Sequence, residues 1–150
     1  MYFVNRQNIL DRIEILNSML EFYASNSSHP KNKIEELALE RMTHLLIDSM
    51  LDIGNTMIDG FIMRDPGSYD DIVDILMDEK VITASTGESI KKLIPIRKHL
   101  LQDYTSSITE KIVTTLSENI EAYKEFPVSV QAFLDKELGV INAFSSDEEK

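Results

Sequence analysis

Apolar residues recur every three or four positions along most of the chain. The first such stretch predicts a helix over residues 6–24, because this spacing places apolar side chains on one helical face. Its apolar positions are Ile9, Ile13, Leu16, Leu20 and Tyr23. Polar turn-forming residues and Pro30 follow, and proline resists continuation of the helical hydrogen bonding. The first helix is therefore expected to end before this turn.

The same period predicts a long second helix over residues 33–63 and a short third helix after it. Gly54 and Gly60 are expected to weaken the second helix locally, by roughly 1 kcal/mol each relative to alanine. Ser68 carries the hydroxyl oxygen that caps helix N-termini, and apolar residues with a helical period follow it. The third helix is therefore predicted to begin next to Ser68.

A fourth helix is predicted to begin at Ser85 and to reach Tyr104. Ser85 and Glu88 fit the capping-box pattern, in which the two side chains satisfy amide groups at the helix start. Pro95 lies inside this predicted helix. Because proline lacks an amide hydrogen and collides with the carbonyl one turn earlier, a kink or break is expected near residues 91–95.

Two more helices are predicted toward the C-terminal end. Ser107 and Glu110 repeat the capping-box pattern and predict a fifth helix that ends at Pro127. A short last helix over residues 128–138 would then end at Gly139. No segment alternates with period two, so the pattern predicts an all-α, up-and-down bundle of five to six helices.

Composition narrows the class of protein. The chain has 150 residues and no cysteine, which predicts a single domain over residues 1–144 with an acidic tail over residues 145–150. The lack of cysteine excludes a disulfide scaffold and a cysteine nucleophile. Aspartate interrupts the longest apolar stretch, residues 45–63, so no membrane span is expected. A cytoplasmic location is expected.

The charge balance limits binding to nucleic acid. The net charge is −11, from 15 basic and 26 acidic residues, and phosphate neutralisation supplies most non-specific affinity for nucleic acids. Any RNA contact would therefore need a local basic patch. The one concentration of positive charge is formed by Lys91, Lys92, Arg97 and Lys98, and these are the candidates for binding a phosphate.

Residues on the predicted second and fourth helices are candidates for chemistry. Arg41, His44, Asp48 and Asp52 are separated by three, four and four positions and share one helical stripe. One interpretation is a solvated face with intrahelical ion pairs; the other is a stripe that faces a cleft or a partner. No metal site is expected from this stripe. In the basic patch, regular helix geometry places Tyr104 on the same face as Arg97. The alternative is that Tyr104 packs in the core.

Three segments, in this order, carry a resemblance to a known family. Residues 40–55, which begin with Glu-Arg and end with Asp-Ile-Gly-Asn, are similar to a long second helix reading Glu-Arg-Leu…Asp-Ile-x-Asn. Residues 66–82 are similar to a helix that begins with Ser-Tyr. Residues 96–104, IRKHLLQDY, fall on the signature Arg-Asn-x-Leu-Val-His-x-Tyr. Over residues 5–127 the chain thus resembles the HepT-like branch of the HEPN superfamily.

The resemblance implies a function and a set of site residues. HepT-like toxins cleave RNA without a metal or cofactor at the cleft of a homodimer, and each is paired with a minimal nucleotidyltransferase antitoxin. Arg97 takes the position of the arginine that stabilises charge at the phosphate, and Lys98 takes the asparagine position. Gln102 stands at the position of the proton-transferring histidine, and glutamine cannot exchange a proton near neutral pH. Tyr104 takes the position of the tyrosine to which the partner adds AMP.

Two functions follow, and the sequence leaves both open. The first is a ribonuclease of a toxin–antitoxin-type pair, in which Arg97 acts with another proton carrier, His99 or His44. Regular helix geometry places His99 on the side opposite Arg97. The alternative is a non-catalytic dimeric bundle that binds a nucleotidyltransferase partner or a nucleotide.

Overall fold

The chain folds into six α-helices over the residues that this computed structural model describes, 2–26 and 28–139, and no strand occurs among them. The helices are α1 (Arg6–Ser25), α2 (Lys33–Gly60), α3 (Tyr69–Asp78), α4 (Ala84–Lys91), α5 (Ile94–Leu101) and α6 (Thr109–Leu138). The predicted all-α class is confirmed. The acidic tail over residues 145–150, and the end of the predicted domain at residue 144, lie outside the described residues.

Helix α2 is the centre of the bundle. It packs against α1, α3, α5 and α6, while α4 joins α3 to α6. The core between these helices is built from aliphatic side chains with Phe126 and Tyr123, both fully buried. Burial raises the pKa of the Tyr123 phenol, and its hydroxyl donates to the Ile90 carbonyl at 3.4 Å. No helix of the described segments is long and apolar enough to span a membrane.

Two of the predicted helix caps are wrong and one is confirmed. Ser68 caps α3 as predicted: its hydroxyl oxygen accepts a hydrogen bond from the backbone amide of Asp71 at 3.0 Å. Helix α4 is capped by Thr83 instead of Ser85, because the backbone at Thr83 is extended and Ser85 already lies inside the helix. Helix α6 begins after Ile108 without a side-chain cap. The hydroxyl of Ser107 instead pairs with Thr109 Oγ1 at 3.1 Å.

The two internal prolines have opposite outcomes. Pro95 separates α4 from α5 as predicted and lies in the first turn of α5, where a missing amide hydrogen costs nothing. Pro127 does not end a helix: α6 continues through it to Leu138, so the predicted break is wrong. Phe126 and Pro127 are both buried, and burial in the core offsets the roughly 3 kcal/mol that proline costs inside a helix.

The glycines of α2 allow close packing. A Cβ on Gly54 would lie 2.6 Å from Ile72 Cγ2, and a Cβ on Gly60 would lie 2.8 Å from Val4 Cα. Both distances are shorter than van der Waals contact, so α3 and the N-terminal segment approach α2 only because these positions lack a side chain. The residues that lower helix propensity therefore bring neighbouring elements onto α2.

Candidate phosphate-binding site

Asp48 joins the two groups of polar residues that the sequence leaves separate. Its Oδ1 accepts a hydrogen bond from Arg97 Nε at 2.7 Å, and its Oδ2 lies 2.8 Å from His44 Nε2. Asp48 and His44 are on α2, whereas Arg97 is on α5. The stripe on α2 thus includes an intrahelical pair and also faces a second helix. Nothing in the sequence pairs Asp48 with Arg97, which lies 49 positions away.

The guanidinium of Arg97 is held on two sides. Its Cζ lies 4.7 Å from the centre of the Tyr69 ring, a cation–π contact. The hydrogen bond that Arg97 donates to Asp48, more than any other contact, raises the pKa of Arg97. The side chains of Arg97 and Asp48 are 24% and 29% exposed. Of the Arg97 nitrogens, Asp48 accepts a hydrogen bond only from Nε. No residue in the described ranges accepts from the two terminal nitrogens of Arg97.

Arg97 lies at a cleft of about 410 Å³ between the start of α3 and helix α5. Its lining residues are Ser68, Tyr69, Asp70, Ile94, Pro95, Arg97, Lys98 and Gln102. Arg97, Lys98 and Gln102 of the matched signature are thus brought together. The contact between Tyr69 and Arg97 was not predicted from the sequence, although the Ser-Tyr pattern at residues 68–69 marks the position.

His44 is held at both ring nitrogens. Nε2 faces Asp48, and Nδ1 lies 3.4 Å from an Arg41 terminal nitrogen. Asp52, the last residue of the stripe, instead pairs with Arg12 on α1, with Arg12 Nε 3.6 Å from Asp52 Oδ2. His44 itself is not among the residues that line the cleft.

Other residues of the basic segment lie away from this cleft. Nε2 of His99 lies 3.1 Å from the Ser106 carbonyl oxygen, so the ring faces the loop between α5 and α6. Lys91 forms ion pairs with Asp74 and Glu88, and the Asp74 contact contributes most to raising its pKa. Lys92 is exposed. Neither lysine lines the cleft.

Tyr104 lies beyond the end of α5, so the prediction of a helix that reaches it is wrong. Gln102 caps the C-terminus of α5, and the chain turns away from helical geometry there. Tyr104 is 72% exposed, which also excludes the interpretation that it packs in the core. Its hydroxyl group is open to solvent on the loop that connects α5 to α6.

Comparison with known proteins identifies the family. Residues 9–130 match the family described as Ribonuclease HepT-like. This match spans most of the chain, so the protein belongs to the HepT-like family, as the resemblance predicted.

A relative and two solved structures are similar to this chain. "Putative RNase YutE" of Bacillus subtilis (strain 168) is 45% identical over 144 residues, which are 96% of this chain and 99% of that protein. The structure of the B. subtilis cytosolic protein of unknown function YutE has a TM-score of 0.86 at 45% identity, covering 93% of this chain and 96% of that one. A tri-AMPylated Shewanella oneidensis HEPN toxin in complex with an MNT antitoxin has a TM-score of 0.72 at 17% identity, covering 83% and 97%. The last likeness is one of fold.

Proposed function

We propose that this chain acts on RNA as a HepT-like protein of a toxin–antitoxin-type pair, with Arg97 as the group that holds an RNA phosphate. The observation that carries the proposal is the double constraint on the Arg97 guanidinium by Asp48 and the Tyr69 ring. A guanidinium that is already oriented loses less entropy when it binds. Its terminal N–H groups keep the forked geometry that matches two phosphate oxygens.

The charges around the cleft suit a single phosphate better than a long nucleic acid. Lys98 lies beside Arg97, and no ion pair joins it to another described residue. Asp48 and Asp70 oppose these two positive charges, and the whole chain carries −11. We therefore expect a modest RNA affinity that falls as salt concentration rises.

The test is RNA binding by fluorescence anisotropy, together with RNA cleavage in excess chelator. Arg97→Ala is expected to abolish binding. Lys124→Ala is the matched control, because it removes one positive charge from an exposed position on α6. Equal losses in the two variants would contradict a phosphate site at Arg97.

Gln102 occupies a position in the cleft where a proton-transferring side chain is expected. Its side chain lines the cleft but cannot take a proton from RNA near neutral pH. Cleavage by the natural chain and not by Arg97→Ala would support the ribonuclease. Binding without cleavage would favour the non-catalytic alternative, and Gln102→His should then create activity.

A nucleotidyltransferase is the partner we propose, with Tyr104 as the residue that it modifies. The exposure of Tyr104 favours this, because a transferase must reach the phenol oxygen. The S. oneidensis HEPN toxin that shares the fold is tri-AMPylated and bound to an MNT antitoxin. Intact mass after incubation with the cognate transferase and ATP should increase by AMP units. Tyr104→Phe should not be modified, whereas Tyr2→Phe should be modified normally.

We further propose that two copies of the chain form a dimer through α2. Ile34 and Leu37 are exposed on this helix and share a face with Arg41 and His44, at spacings of three, four and three. Burial of these apolar side chains against a second copy would remove them from water and leave Arg41 and His44 further along the same face of α2. Sedimentation equilibrium at micromolar concentration should give a dimer mass. Leu37→Asp should give a monomer, whereas Val128→Asp on α6 should not.

A further inference from the structure

His44 and Asp48 have the geometry of a carboxylate–imidazole pair that is ready to accept a proton. An ionised carboxylate accepts hydrogen bonds only, so the hydrogen between Asp48 Oδ2 and His44 Nε2 belongs to the ring. The neutral ring then carries its lone pair on Nδ1. The contact between Nδ1 and Arg41 agrees with this tautomer, because arginine can only donate.

Within the described residues, the Nδ1 nitrogen of His44 is held only by the long contact with Arg41. The His44 side chain is 21% exposed, so it is neither buried in the core nor free in solvent. Arg41 is exposed, and its contact with Nδ1 is long, at 3.4 Å. Movement of the Arg41 guanidinium away from this contact would leave Nδ1 open to a hydroxyl group.

The same carboxylate fixes His44 relative to Arg97. One oxygen of Asp48 orients the imidazole and the other orients the guanidinium. Asp48 thus links the imidazole on α2 to the guanidinium on α5 through its two oxygens. Of the other residues considered for proton transfer, Gln102 cannot titrate and His99 faces Ser106.

We propose that His44, positioned by Asp48, is the proton-transfer residue of this site. The inference rests on the proposed function. The 2′-oxygen of RNA forms a bond to phosphorus while His44 Nδ1 takes its proton. The bond from phosphorus to O5′ breaks, and O5′ takes a proton from water. The products are a 2′,3′-cyclic phosphate and a 5′-hydroxyl end, and the imidazolium returns its proton to water. Asp48 stabilises the imidazolium, and Arg97 stabilises charge on the phosphate.

The test compares variants of two histidines by single-turnover RNA cleavage in excess chelator. His44→Gln should lower the cleavage rate about 10²–10⁴-fold, the usual contribution of general acid–base catalysis. RNA affinity and thermal unfolding should stay close to those of the natural chain. The matched control is His99→Gln, which changes a histidine on α5 that faces Ser106. This variant should cleave RNA at the normal rate.

Chemical rescue separates proton transfer from a structural role. Free imidazole should restore part of the cleavage by His44→Ala, because it can occupy the space left by the ring. Normal cleavage by His44→Gln, or no rescue of a folded His44→Ala that still binds RNA, would overturn the inference. So would a natural chain that binds RNA through Arg97 without cleaving it, a result that leaves the proposed phosphate site standing.

Discussion

The apolar core and the polar contact between α2 and α5 hold helices together by opposite means. In the core, Gly54 lets Ile72 approach α2, and Phe126 is fully buried. In the polar contact, Asp48 and Arg97 each keep about a quarter of the side chain exposed. Dense apolar packing fixes where the helices lie, whereas the polar contact leaves charged groups within reach of a ligand. The candidate chemistry therefore lies where packing is thinner.

Phe126→Ala should give the largest effect on stability. Removing a fully buried phenylalanine leaves a cavity, and such changes cost about 3–5 kcal/mol of unfolding free energy. Val128, two residues further along α6, is exposed, so Val128→Ala should change stability by less than about 0.5 kcal/mol. Urea unfolding followed by circular dichroism measures both. Similar values for the two variants would mean that this turn of α6 does not pack as described.

Asp48→Ala should have an intermediate effect on the free energy of unfolding, measured by urea unfolding. It removes a charged acceptor from Arg97 and from His44, which should cost about 1–3 kcal/mol. Glu121→Ala should cost less, because its carboxylate is 80% exposed and its pair with Lys124 is screened by water. If Asp48→Ala lost as much unfolding free energy as Phe126→Ala, the polar contact would be a main support of the fold, contrary to this expectation.

Gly54→Ala should destabilise the protein slightly. Overpacking against Ile72 costs about 1–3 kcal/mol, which outweighs the roughly 1 kcal/mol that alanine gains in helix propensity. In an Ile72→Ala background the methyl group has room, so the same change should become stabilising. A double-mutant cycle in urea measures this reversal of sign. A stabilising effect in the natural background would contradict the close approach of α2 and α3.

The exposed contact between His29 and Glu110 on α6 should have the smallest effect on stability, and this effect should depend on pH. Hydrogen bonds to the Pro30 carbonyl and then to Glu110 raise the pKa of His29 above 6.5. A raised pKa means that the contact stabilises the fold fully below pH 6.5 and that this contribution is lost as pH rises through the pKa of the folded state. Glu110→Gln should lower the pKa of His29 without abolishing the shift, because the Pro30 contact remains. Proton NMR titration of the ring measures it, and an unchanged pKa in this variant would exclude the Glu110 contact.

Local signals in the sequence predicted most of the helices but not all of their ends. Pro95 broke the predicted fourth helix where expected, because proline lacks an amide hydrogen and is favoured in the first turn of a helix, here that of α5. Pro127 did not break α6, because burial with Phe126 offsets the local cost. Ser85 and Ser107 fit a capping pattern, yet Thr83 and Ile108 lie at the helix starts. Ile82 and Ile108, at or next to these starts, pack in or against the core, a tertiary contact that a capping pattern does not include.

The helical class, the family resemblance and the presence of Arg97, Lys98 and Gln102 on one segment could all be predicted from the sequence. These depend on periodicity and on short spacings along the chain, which local chemistry controls. The contacts of Arg97 with Asp48 and with the Tyr69 ring follow instead from the packing of the helices. Such contacts join residues far apart in the chain, and they depend on how α3 and α5 pack against α2.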